Sequence, residues 1–318
     1  MPTPKHPNRT TFAIKDKIEP FAPTGLSDLA QRGIIWHTSR NQARFSEANC
    51  RQAFSSKAAQ ELLALARDPK RQPKIDVVVV DYLFGQCLGA FAKEFGSAPI
   101  VAVTAFGNPV EVDEMIGAPT FPSFVPHDIT SYSRHDTMTW TARLYNKLTY
   151  LMYNYFRTSA ESAMNGQLQE FFGPGAATVE EVHRNISVVL VNSHPAISGA
   201  RPQIPAVVEI GGIHVPPLKE IPRGELRDFL DSAKDGFILM SFGSLLKGSH
   251  MESWRRKELM RAFERLKPLR IVMKWEDPWD SKQDGPLSSN VLLSRWLPQS
   301  DVLGNLKLHQ NFKDKTDL

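Results

Sequence analysis

"PKIDVVVVDYLFGQCLGAFAKEFGSAPIVAVTA", residues 73–105, decides the fold class. Ile75 to Val80 is a run rich in β-branched residues, the mark of a strand buried on both faces of a sheet. Phe84, Leu88, Phe91 and Phe95 then recur at spacings of four, three and four, so the stretch predicts one helix with one apolar face. Gly96 ends that helix, and Pro99 to Val103 supplies a second apolar strand. A strand, a crossover helix and a second strand within about thirty residues make a βαβ unit, which implies a parallel sheet in an α/β protein.

The pattern extends both ways from this unit. Upstream, Lys57 to Arg67 has helical character and stops at Pro69. Downstream comes a proline-rich excursion, "GAPTFPSFVPHDITS". A long helix follows, with Leu144, Leu148, Leu151 and Tyr155 in register. The aromatics Tyr145, Tyr150, Tyr153, Tyr155 and Phe156 belong to the same helix. They either pack on the sheet or line an apolar cleft. Ile186–Val191 and Ala206–Ile210 read as further strands. "GGIHVPPLKEIPRG" is a linker by its paired glycines and clustered prolines. Beyond it "GFILMSFGS", "RIVMKW" and "NVLLSRWLP" give three more strands. The capping-box pattern Ser249 to Glu252 predicts a helix start there, with Leu259, Phe263 and Leu266 inward. This division predicts two domains, 1–215 and 216–318.

The chain has 318 residues, 42% of them apolar and 23% charged, which is the composition of a globular protein with a sizeable core. A formal net charge of +4 without a coherent basic stripe excludes nucleic acid as the expected partner. No stretch carries the roughly 18 consecutive apolar residues of a spanning helix, and the start lacks the apolar core of a signal peptide. The two cysteines, Cys50 and Cys87, cannot form a metal cluster by themselves. Cys87 sits among apolar residues and is expected to be packed rather than reactive.

Ligands of open parallel sheets bind beyond the carboxyl ends of the strands. Three features fall at such ends. Asp81 follows the first strand, where a carboxylate reaches the crevice; an N-cap is the plainer reading of an aspartate there. Ser241-Phe242-Gly243-Ser244 follows "FILM", and small residues after a strand expose N–H groups and hydroxyls that suit a phosphate. A tight turn explains those four residues equally well. Trp296-Leu297-Pro298-Gln299 follows "NVLLSR", and an indole there can stack on a nucleobase. Neither a Walker loop nor a dinucleotide fingerprint is present. Together a phosphate turn and a base platform on neighbouring strands describe a nucleoside-diphosphate site.

These motifs in this order resemble the UDP-glycosyltransferase family of the insect and animal type. The resemblance rests on "DVVVVDYLFGQCLGAFAKEFGSAPIVAVTA", "PSFVPH", "VLVNSH", "IGGIH", "FILMSFGS", "VMKWED" and "NVLLSRWLPQSDVLG", and covers about Lys74 to Leu303. It implies two Rossmann-like domains of the inverting GT-B type. The first holds a small lipophilic acceptor and the second holds a UDP-sugar, with UDP-glucose expected as donor. It implies hexosyl transfer with inversion and neither cofactor nor metal. Asp81 takes the role of the aspartate that orients a histidine base. Ser241, Gly243 and Ser244 take the phosphate turn, and Trp296, Pro298 and Gln299 the uridine platform.

Two departures accompany the resemblance. The first βα unit with its histidine has no match; neither His6 nor His37 lies in a matching context. After about Asn305 the text "NLKLHQNFKDKTDL" leaves the pattern, since His309 is followed by Gln310 and Asn311 rather than two glycines. Both domains are therefore expected to be incomplete and the chain truncated at both ends. The alternative expectation is an inactive relative or fragment that binds a ligand or partner. The family implies the endoplasmic reticulum, with membrane association confined to the full-length form. Read literally, the chain is cytosolic.

Overall fold

The computed structural model describes residues 34–105, 107, 110–128, 130, 137–199, 201–243 and 248–304. They form two compact units, one ending at Ile213 and the other beginning at His214. His6, Ser244 and Asn305–Leu318, with His309, Gln310 and Asn311, lie outside the described residues.

The first unit is built on four parallel strands in the order β1-β2-β3-β4: Val78–Asp81, Ile100–Thr104, Ile186–Val191 and Val207–Glu209. Its helices are α1 (Ile34–Ser55), α2 (Lys57–Arg67), α3 (Tyr82–Gly85), α4 (Phe91–Glu94), α5 (Val110–Met115), α6 (Trp140–Phe172), α7 (Val179–Arg184) and α8 (Pro195–Ser198). β1 is shorter than expected and is not buried on both faces. It is one of the two edge strands of the four described, and Val77 and Val79 stay exposed.

The helix predicted after β1 is broken into α3, a 3₁₀ turn at Gln86–Ala90, and α4. Glycine explains the break. Gly85 leaves the helical region, and a Cβ on Gly89 would lie 2.5 Å from Val182 Cγ1 of α7. Close approach of the turn to α7 therefore replaces a regular helix. Leu88, Phe91 and Phe95 still pack inward, and the Phe84 side chain lies outside the described residues. Cys87 is buried as expected, but it is also bonded to Cys50 of α1, with the Cα atoms 6.0 Å apart. The disulfide joins α1 to the turn beside β1. Cys50 Sγ also lies 3.5 Å from Met164 Sδ, a packing contact because a disulfide sulfur carries no proton.

α6 turns the in-register row of Leu144, Leu148, Leu151 and Tyr155 outward. Ala142, Asn146, Tyr150, Tyr153, Met164 and Leu168 are buried instead. The inward side is fixed by polar anchoring as much as by apolar burial. Asn146 accepts from the His127 N–H at 2.8 Å and donates to the carbonyls of Pro122 and Val125, both at 2.8 Å. His127 is buried against Tyr150 and Tyr153, each ring centroid 5.0 Å away. The proline-rich excursion is thus tied to α6 through a buried histidine.

The second unit has three parallel strands, β5 (Phe237–Met240), β6 (Arg270–Lys274) and β7 (Val291–Ser294), in that order. Its helices are α9 (Glu225–Asp231), α10 (Ser253–Arg265), α11 (Ser281–Asp284) and α12 (Gln299–Leu303). The capping-box expectation is corrected. Gly248–His250 is a 3₁₀ turn and α10 begins at Ser253 with Glu252 as cap. A Cβ on Gly248 would lie 2.6 Å from the buried Trp275 ring, so the chain presses on that indole before the helix can start. Arg256, Met260 and Phe263 form the inward face of α10, while Leu266 is largely exposed.

Candidate functional site

The carboxyl ends of β5, β6 and β7 converge on one cavity of about 470 Å³. Ser241, Gly243, Trp296, Pro298 and Gln299, all singled out from sequence, line it together. Each is positioned by its own element. β5 ends at Met240 and the chain turns at Gly243, whose φ of 77° suits glycine. The Gly243 N–H donates to Ser241 Oγ at 3.2 Å, which closes the turn and holds the hydroxyl at the cavity.

On the opposite wall, Leu297 and Val302 are buried in the core and fasten α12 down. The flanking Trp296 is left 64% exposed and Gln299 lies open beside it. A bare indole face next to a free amide at the end of a strand can stack a planar base and hydrogen-bond its edge.

The sequence reading missed three parts of this wall. Lys274, the last residue of β6, donates to the Gly243 carbonyl at 2.7 Å and pairs with Glu276. The Glu276 carboxylate in turn accepts from the Gly248 N–H at 3.3 Å. A lysine ending the apolar run "RIVM" one strand from the Ser/Gly turn was the available signal. Second, the stretch read as a linker forms part of the cavity. Pro216 and Pro217 line it, and the Lys219 N–H donates to Asp301 Oδ1 at 2.7 Å. Third, Leu218 sits where a Cβ on Gly304 would be, so the linker is pressed onto the end of α12.

Asp81 is elsewhere, in the first unit. It ends β1, exposed, beside an apolar groove of about 910 Å³ that Val79, Leu62 and Leu88 also line. α3 follows it immediately. His37 falls within α1, but its side chain lies outside the described residues, as does Ser244. Among the described residues no group of three or more His, Cys, Asp or Glu side chains is placed to hold a metal ion.

A family model described as "UDP-glucoronosyl and UDP-glucosyl transferase" matches residues 15–310. The chain belongs to this transferase family. UDP-glucosyltransferase 2 of Dactylopius coccus is 28% identical over 277 residues, covering 86% of this chain and 49% of that protein. UDP-glucuronosyltransferase 2B7 of Rattus norvegicus is 27% identical over 263 residues, covering 81% and 46%. Among solved structures, the glycotransferase of kitacinnamycin aligns with a TM-score of 0.47 at 15% identity, over 82% of this chain and 57% of that one. The chain spans about half the length of the curated relatives it matches. Its two parallel α/β units are what membership of a GT-B transferase family implies.

Proposed function

We propose that the protein transfers a hexose, glucose in our reading, from a UDP-sugar to the hydroxyl of a small lipophilic acceptor with inversion. The observation that carries this reading is the gathering of Ser241, Gly243, Trp296, Pro298 and Gln299 around one cavity at the carboxyl ends of β5–β7. The glucose preference follows the insect glucosyltransferase among the relatives.

In this reading the second unit is the donor domain and residues 1–215 form the acceptor domain. Trp296 stacks on uracil and Gln299 bonds its edge or the ribose. The Ser241–Gly243 turn takes the diphosphate, with Lys274 supplying positive charge next to it. Asp81 orients the histidine base that the family resemblance implies. That base takes the acceptor proton as the acceptor oxygen attacks the anomeric carbon. The anomeric C–O bond breaks and UDP leaves with the bonding electrons. The donor cavity assists by holding charge that grows on the leaving phosphate. We also infer the lumen of the endoplasmic reticulum as the compartment, a reading supported by the Cys50–Cys87 disulfide, since such bonds persist where conditions are oxidising.

UDP titrated into the purified chain in a calorimeter tests the donor site. Base stacking on an aromatic is worth about 1–3 kcal/mol per base in nucleic-acid complexes. Trp296→Ala is therefore expected to weaken UDP by about 5- to 150-fold. Lys274→Met should weaken UDP while leaving uridine unchanged. Equal UDP affinity for the parent chain and Trp296→Ala would remove Trp296 from the site.

A further inference from the structure

Residues 214–220 are all exposed, and Ile221 is the first residue after them that packs in the core of the second unit. A segment so exposed is ordinarily loosely held. Residues 216–219 are instead tied down at two points just ahead of Ile221, and both ties lead to α12. The Lys219 N–H donates to Asp301 Oδ1 at 2.7 Å. The Leu218 side chain lies against Gly304, where any Cβ would collide with it. α12 begins at Gln299, three residues after Trp296. The same short helix thus carries one wall of the donor cavity and holds down another.

The prolines turn these ties into a wall. Pro216 and Pro217 each have φ fixed near −65° by their rings, and Val215, standing before a proline, is biased to extended backbone. Once Leu218 and Lys219 are tied, few dihedrals remain that could swing the two rings away. Both prolines line the cavity together with Trp296. Neither has an N–H to offer, so their side of the cavity presents apolar ring surface, which suits the face of a base or ribose and not a phosphate.

We propose that Asp301 is a positioning residue: by pinning the strap it fixes Pro216 and Pro217 as the wall that limits the base to a single ring. The proposal rests on the donor-site reading above.

Calorimetry of the full chain with UDP, uridine and ADP tests it, alongside hydrogen exchange at the Lys219 amide. Asp301→Ala should weaken UDP and uridine by the same factor, roughly tenfold, the scale of a lost hydrogen bond to a charged group. ADP should lose less, so the preference for UDP over ADP falls, and the Lys219 amide should exchange faster. Asp301→Asn keeps an oxygen that accepts the Lys219 N–H and should restore most of the UDP affinity. Gly304→Ala pushes on the strap through Leu218, changes no charge, and should lower the same preference. The Gly304 φ of −79° is open to any residue, so the backbone itself is not strained by this change. General loss of fold would weaken UDP and ADP alike and would show in the melting temperature; should one variant fail to fold, the other decides. An unchanged UDP-to-ADP preference in the folded variants would overturn the proposal. So would weakened UDP with the Lys219 amide exchanging at the parental rate, because Asp301 would then touch the nucleotide itself. Trp296→Ala keeps the two readings apart. If it weakens UDP and Asp301→Ala does not, the donor site stands and the wall falls; if neither does, the donor-site reading falls with it.

Discussion

Between pH 7 and pH 4 the first unit should lose stability on the order of 6 kcal/mol through two histidines alone. Burial pushes the His127 imidazole down to about 4, against a smaller opposite pull from Asp128. Burial also pushes His183 down to about 4, with the Arg157 guanidinium adding to the effect. Both rings are neutral when folded and take up a proton at about 6.5 when unfolded. As pH falls below 6.5, the unfolded chain binds these protons and the folded chain does not. Stability contributed by the neutral rings is thus complete above about 6.5 and is lost progressively down to about 4, where the loss levels off. A depression of about 2.5 units corresponds to roughly 3 kcal/mol for each ring. Urea unfolding followed at pH 7, 6, 5 and 4.5 would measure the slope. His127→Gln/His183→Gln should be less stable at pH 7 but have a visibly flatter profile. An unchanged slope would mean that carboxylates alone govern the acid limb.

These histidines also mark where sequence reading stopped. "PSFVPH" was legible as a motif, but nothing in its spacing said that His127 would be buried between two tyrosines of a helix twenty residues later. Parallel strands were legible because burial on both faces writes itself as unbroken apolar runs, and Ile186–Val191 was bounded to the residue. Helix faces were not. A periodicity identifies a face without saying which way it points, and in α6 both faces are apolar. The decision was made by Asn146 and Tyr150, whose polar atoms needed partners in the proline-rich loop. Similarly, the phenylalanine spacing after β1 suggested one helix, because the close approach of Gly89 to Val182 depends on a partner ninety residues away.

The donor cavity was legible in its two sequence motifs and illegible in the segments that close it. Ser241, Gly243, Trp296, Pro298 and Gln299 stood out because small residues and an exposed-type aromatic followed apolar strands. Lys274, Lys219 and Asp301 did not, since their roles are set by contacts across the sheet and across the apparent linker. Cys50 and Cys87 belong to the same class. Cys87 looked like an ordinary packed residue, and only the approach of α1 to the 3₁₀ turn pairs it with Cys50.

Arg256→Met should destabilise the second unit by about 3–5 kcal/mol, the largest single-residue effect expected there. Arg256 lies on the inner face of α10 and is nearly buried. Its guanidinium reaches Asp284 of α11 at 2.7 Å and the Ser249 carbonyl at 2.7 Å. Asp284 is buried too, so removing the arginine leaves a carboxylate without its countercharge in a poorly solvated place. Against an ordinary net stability of about 5–15 kcal/mol, a loss of that size is a large fraction of the whole. Arg256→Met/Asp284→Leu removes both charges together and should recover much of the loss, because the desolvation penalty of the pair vanishes with it. A functional readout separates this from general weakening. Ser249 lies in the turn that continues from Gly248, whose N–H is held by Glu276, the partner of Lys274. Losing the Arg256 hydrogen bond frees that turn, which Glu276 links to Lys274 of the cavity wall. UDP affinity should therefore stay below that of the parent even in the double variant, under conditions where both are fully folded. Thermal melts of the parent and the two variants, and calorimetry with UDP, check the two halves of this expectation. A single variant as stable as the parent would show that Asp284 finds a substitute partner and that the pair is not what holds α10 to α11.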